Sequence, residues 1–218
     1  MSKSFTEDNL AEQLSHDITW RIREISDLKS AVRNADGSAK PTLLRATVAL
    51  LYAHWEGHVR FSAQRFLSHI ALRKLKFSSL SRQFLRNHFL PRLSTMTGKS
   101  VEQRGNIVDA ILDAGTEQFS RVNKDLINTR ANLNFDVLTD ICRVCGISIK
   151  HFADKESFID VILLKRRNAI AHGEDTLIDQ HELDDLADQT IALMRVFSNE
   201  IQNMVYLQSY RTAGPSLG

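Results

Sequence analysis

Residues 41–72 read PTLLRATVALLYAHWEGHVRFSAQRFLSHIAL. Apolar or small side chains recur at Leu44, Val48, Leu51, Trp55, Val59, Ser62, Phe66 and Ile70, in steps of three and four. Steps of that size keep one face of an α-helix toward a core. Pro41 suits a first turn, where its missing N–H would be unbonded anyway. Unbroken to Leu72, such a helix is roughly 45 Å long at about 1.5 Å per residue and spans a whole domain.

The same period appears on either side. Leu10, Leu14, Ile18, Ile22, Ile25 and Leu28 form one stripe from about Glu7 to Val32, closed by an Asn34–Ser38 turn in which Gly37 suits a left-handed cap. Near the other end, Leu183, Leu186, Thr190, Leu193, Phe197, Ile201 and Met204 mark a helix over about Asp179–Gln208. Before it, Phe135–Cys145 reads as a helix ending at Gly146. Another, capped by Asp154 or Ser157, carries Phe158, Val161, Ile162, Leu164 and Ile170 inward and stops at His172-Gly173. Between Lys74 and Thr129 the signal weakens to short helices near Ser79–Phe89, Glu102–Ala114 and Gln118–Asn128, with loops at Pro91–Lys99 and Gly115. Two long helices at each end predict an all-α antiparallel bundle. Residues 1–218 are expected to form a single helical domain, with a smaller helical insert at about 74–129 and a loose tail at about 210–218.

Composition sets bounds. The 43% apolar content supplies a core, and the 3 prolines leave long stretches free to be helical. The richest apolar run, Ala46–Ala53, is far shorter than a membrane span, and the MSKSFTEDNL start is polar where a signal peptide would be basic and then apolar. A cytoplasmic protein is expected. Cys142 and Cys145 lie at a helix end without two further ligands at zinc spacing, so structural thiols are expected. Net charge is +2, but ten Lys and Arg fall between Gly57 and Arg104 against Glu102 alone, whereas seven acids and no Lys or Arg fall between Glu174 and Asp188. The acidic segment is either ordinary helix N-terminal charge or a surface for a basic partner.

Chemistry concentrates in Leu164-Lys-Arg-Arg167-Asn168-Ala-Ile-Ala-His172-Gly-Glu174, where Arg167, Asn168 and His172 interrupt an apolar helix face. Asn168 and His172 are i, i+4 and share a side. Arg167 and His172 are five apart, about 140° around an ideal helix. Either His172 leaves the helix at Gly173, or the site draws on a second chain. Such a string before a long final helix resembles the HEPN superfamily of ribonucleases, whose R-x(4–6)-H motif, with Asn, Asp or His after the Arg, is matched by Arg167, Asn168 and His172. Leu51-Tyr-Ala-His-Trp55-Glu56-Gly-His58 is similar to the corresponding helix of a bacterial HEPN-like nuclease family of similar length. The insert matches nothing.

The resemblance implies a metal-independent, cofactor-free endoribonuclease. It further implies a toxin–antitoxin or antiviral defence effector that works as a homodimer with two opposed motifs. Elementary chemistry agrees, because RNA carries its own nucleophile, the 2′-OH. Histidine moves protons near neutrality, and Arg167 offers a permanent charge and a two-pronged fork to phosphate, while Asn168 can orient either. Arg73, Lys74, Lys76, Arg82 and Arg86 are the candidate RNA-binding residues, with Phe77, Phe84 and Phe89 available for stacking or core. The expected partners are RNA, a second copy, and an inhibitor or trigger protein from a neighbouring gene, with no membrane. The rival reading is a non-catalytic helical module that binds RNA, nucleotide or a partner protein. Glu56 is left between pairing with Arg60 and supporting Arg167. His54 and His58 share a face but lack a third metal ligand.

Overall fold

The computed structural model describes residues 6–130, 132–176 and 178–212. Seven α-helices follow in chain order: α1 (Glu7–Asn34), α2 (Ala39–Leu72), α3 (Arg82–Leu93), α4 (Val101–Asp113), α5 (Phe135–Cys145), α6 (Arg166–Ala171) and α7 (Gln180–Tyr206). A π-helical segment, Phe158–Lys165, leads directly into α6. Short 3₁₀ turns punctuate the rest, and no strand occurs among the described residues. The fold is all-α.

Helix α2 is the axis. It packs along α1 and α7, and it also meets α5 and α6. All eight residues of its expected stripe are buried, and so are Tyr52, His54, His58, Leu67 and His69 from other sides. A helix covered nearly all round needs this breadth of apolar surface, which a one-stripe reading understates. The α7 stripe from Leu183 to Met204 is buried throughout. Thr6 caps α1 in a reciprocal pair with Asn9, and Asp179 caps α7. Gly37 and Gly146 take the expected positive φ, +55° and +77°, where a Cβ would be strained. No helix among the described residues is long and apolar enough to cross a membrane.

Several local expectations are corrected. Gln118–Asn128 is not a helix. Its backbone bonds instead to the 75–77 segment, Phe119 N–H to Leu75 O and Phe77 N–H to Glu117 O at 2.9 Å each, and only Lys124–Leu126 makes a 3₁₀ turn. Pro91 lies inside α3, which ends two residues later at Leu93. Neither Asp154 nor Ser157 caps the helix before α6, because a 3₁₀ stretch, Ile149–Lys155, runs straight into it. Within the π segment the buried residues are Phe158, Ile159, Leu163 and Leu164, while Val161 is exposed. A π-helix bonds at i, i+5, so residues five apart stack on one side and the inward face differs from the α-helical expectation. The expected loose tail is tied down at its start, for Tyr210 is buried and its carbonyl accepts from Ser81 N–H at 2.9 Å. The remainder of that expected tail, 213–218, lies outside the described residues.

Candidate active site

The π segment runs directly into α6, which packs against α2. Adjacent side chains on a helix point about 100° apart, and the two adjacent arginines of α6 reach different partners. Arg166 reaches α7, where its Nη1 donates to Glu182 at 2.8 Å. Arg167 turns to α2, and its guanidinium carbon lies 5.0 Å from the centre of the Tyr52 ring, a cation–π contact. Arg167 Nη1 donates to Asn168 Oδ1 at 2.7 Å and to Asn132 Oδ1 at 3.3 Å. No hydrogen bond engages Nε or Nη2 among the described residues.

The platform beneath Arg167 is built from α2 and the 129–135 segment. Tyr52 is buried, and its phenolic oxygen accepts the Leu133 N–H. One turn on, the Glu56 carboxylate accepts from Thr129 Oγ1. Burial, and then the Glu56 charge, push the Tyr52 phenol well above the usual tyrosine range, so it stays protonated. Phe135 N–H donates to Asp160 at 2.7 Å, and the Asn134 side chain caps α5 by accepting from Val137 N–H at 2.8 Å. The 129–135 segment is thereby pinned at both ends, and Asn132, within it, is held against Arg167.

His172 is the C-cap of α6 and is exposed. Its N–H bonds Asn168 O at 2.9 Å, and Gly173, at φ +79°, turns the chain away. The helix runs to Ala171, and His172, at φ −85° and ψ 2°, is the residue at which it ends. Arg167 and Asn168 touch, and His172 stands one turn beyond Asn168 at the exposed helix end.

The other sequence candidates lie elsewhere. Arg73 is the C-cap of α2, about 30 Å along that helix from Tyr52 at about 1.5 Å per residue. It contacts His69 at 3.1 Å and Glu7 at 3.5 Å. Lys74 and Lys76 follow in the turn beyond it, and Arg82 opens α3. Arg86 lies one turn further along α3. Phe77, Phe84 and Phe89 are buried and pack their rings on Phe66, Phe119 and His88, so they form core rather than a stacking surface. His54 and His58 do not share a ligand. His54 Nε2 is 2.9 Å from Glu24, and His58 Nδ1 is 2.8 Å from Asp17. No cluster of three metal-ligating side chains occurs among the described residues. The 174–188 acids are largely answered within the chain, Asp184 by Lys29 and Arg33 and Glu182 by Arg166. Cys142 and Cys145 are free and buried, and burial pushes the Cys142 thiol up to about 12.

Sequence reasoning missed Tyr52 and Asn132 as neighbours of Arg167. Tyr52 was one apolar-looking residue in a helix, and Asn132 sits in an irregular segment without periodicity.

Residues 16–203 match the model of the RiboL-PSP-HEPN family. The chain belongs to the RiboL-PSP-HEPN family. No curated protein and no solved structure matches it. As a HEPN member it is expected in a nuclease or otherwise RNA-related role, and the matched span contains Tyr52, Asn132, Arg167, Asn168 and His172.

Proposed function

We propose that this RiboL-PSP-HEPN chain is a metal-independent endoribonuclease that uses Arg167, Asn168 and His172. The observation that carries the reading is the state of Arg167. It is fixed at Nη1 by two asparagines and backed by the Tyr52 ring, with Nε and Nη2 unbonded among the described residues, on the same short helix that ends at an exposed His172. A cation preorganised in this way stabilises the charge that builds on phosphorus, and a histidine transfers the proton. The 2′-OH attacks the adjacent phosphate, its proton passes to a base, and the 5′-oxygen leaves with a proton from an acid.

Two histidines are needed if one is the base and another the acid, and one chain offers a single His172. A C2 homodimer with opposed α6 ends supplies both, and brings each Arg167 toward the partner's motif despite the angle between them. The readings as a toxin or phage-defence effector, and of a neighbouring inhibitor or trigger, follow from kinship alone. Incubation of the pure protein with total RNA in EDTA is expected to give fragments ending in 2′,3′-cyclic phosphate and 5′-OH. A strict Mg²⁺ requirement, 5′-phosphate ends, or no cleavage at any protein concentration would refute it.

A further inference from the structure

Residues 74–128 of the insert have no role in the chemistry above, yet they help to line two concavities of the described surface. One, of about 740 Å³, lies between α3, α5 and the segment before α5, and is lined in part by Arg86, Asn128, Arg130, Asp140 and Arg143. A second, of about 290 Å³, lies between α3 and the 119–126 segment and carries Arg92 and Arg121 with His88, Phe119 and Pro91. Asn87 and Leu126 line both, so the two adjoin along α3 and are taken together as one groove.

Charge and position point to the occupant. Five arginines line the groove against Asp125 and Asp140. Asp140 is shared by Arg130, at 3.4 Å, and Arg143, at 3.3 Å. Arg86, Arg92 and Arg121 pair with no carboxylate among the described residues, and all three are exposed. Positive side chains left unneutralised along a concave track attract a polyanion. The groove also ends beside the candidate site, because Arg130 is two residues from Asn132, whose side chain touches Arg167. Two residues span at most about 7 Å, so the backbone at Arg130 lies close to that at Asn132.

We infer that this groove binds the phosphodiester backbone of single-stranded RNA flanking the bond to be cut, and that the insert is therefore the substrate-binding part of the fold. The inference rests on the ribonuclease reading for the identity of the polyanion. It differs from the sequence expectation in place, since Arg73, Lys74 and Lys76 cluster about 30 Å along α2 from Tyr52 and only Arg86 belongs to both sets.

The test measures binding apart from cleavage. In a His172→Ala background, anisotropy of a fluorescein-labelled single-stranded RNA 20-mer is titrated at several salt concentrations. The triple variant Arg86→Glu, Arg92→Glu, Arg121→Glu is expected to bind at least tenfold more weakly. Its log–log salt slope should be shallower by about 2, at about 0.7 per lost phosphate contact. The control Arg73→Glu, Lys74→Glu, Lys76→Glu should stay within about twofold of the parent. Because all six side chains are on or near the surface, circular dichroism should confirm that both variants keep the helical fold. An unchanged groove variant, an equal loss in the control, or equal affinity for a poly-glutamate peptide would overturn the inference. RNA binding through the groove by a wild-type protein that never cuts would remove the nuclease reading and leave the groove standing. Cleavage unaffected by the groove variant would do the reverse.

Discussion

Arg166 and Arg167 stand side by side on α6, yet one is held by Glu182 of α7 and the other rests on Tyr52 of α2 between two asparagine oxygens. Partners of this kind separate a structural arginine from one whose fork is free to meet a phosphate. Arg167→Ala and His172→Ala should each reduce cleavage by three orders of magnitude or more, at about 1.4 kcal/mol per tenfold, while helix content is unchanged. Arg166→Ala is the matched control and should keep most activity. Asn168→Ala should be milder, since it orients Arg167 without carrying charge. Gel assays of labelled RNA with each variant decide this, and near-wild-type cleavage by the Arg167 or His172 variant would dismiss the site.

Among elements, the contacts of α2 with its neighbours are unusually polar for a central helix. Tyr52→Phe keeps the ring under Arg167 but leaves the buried Leu133 N–H without its acceptor. It should cost roughly 1–3 kcal/mol in urea denaturation, because a buried donor loses its partner. Cleavage should fall as well, because Asn132 loses its anchor. Tyr52→Leu removes the ring too and should be worse in both assays, whereas a Phe variant as stable as wild type would contradict a stabilising role for the Leu133 N–H to Tyr52 hydrogen bond. On the opposite side of α2, Asp17 and Arg21 of α1 form a buried pair at 2.8 Å, with His58 on the same carboxylate and Ser62 3.4 Å beyond it. Burial pushes the Asp17 carboxyl up, but the hydrogen bonds and charges of His58 and Arg21 outweigh it and hold it below the usual carboxylate range. Its stabilisation is present above the unfolded value of about 3.9 and is lost as pH falls through the folded one. Burial also lowers His54, only partly offset by Glu24, and lowers His88, further depressed by Arg92. Below about pH 6.5 the unfolded chain takes up those protons and the folded chain resists them, so stability drops there first. Melting temperature at constant ionic strength should therefore fall in two stages, between pH 7 and 5 and again below 4. A flat profile from pH 7 to 5 would count against the buried histidines.

At the scale of the whole molecule, the proposed chemistry outruns what one chain presents, since His172 and Arg167 diverge on a regular helix. Activity per chain should fall steeply on dilution below the dimerisation range, as followed by light scattering alongside the cleavage assay. Mixing His172→Ala chains with wild type should give heterodimers whose activity departs from simple dilution. A fully active monomer at assay concentration would remove the two-fold arrangement.

The helical class, the long α2, the α7 stripe and the Gly37 and Gly146 turns are legible in the sequence because helical period and left-handed glycine are local properties. The RNAIAHG string is legible for the same reason, as its residues are consecutive. What only the tertiary structure decided is non-local. The π turns before α6 are not announced by any side-chain period. Asp17 and Arg21 interrupt the α1 stripe in sequence, and are satisfied in the core by pairing with each other and by His58, which reaches Asp17 from another helix and is itself met by Ser62. Tyr52 and Asn132 meet Arg167 across 115 and 35 positions of chain, and the arginine groove exists only where the insert folds back on α5. Contacts between distant residues depend on how helices pack, and that is set by the whole core rather than by any window of sequence.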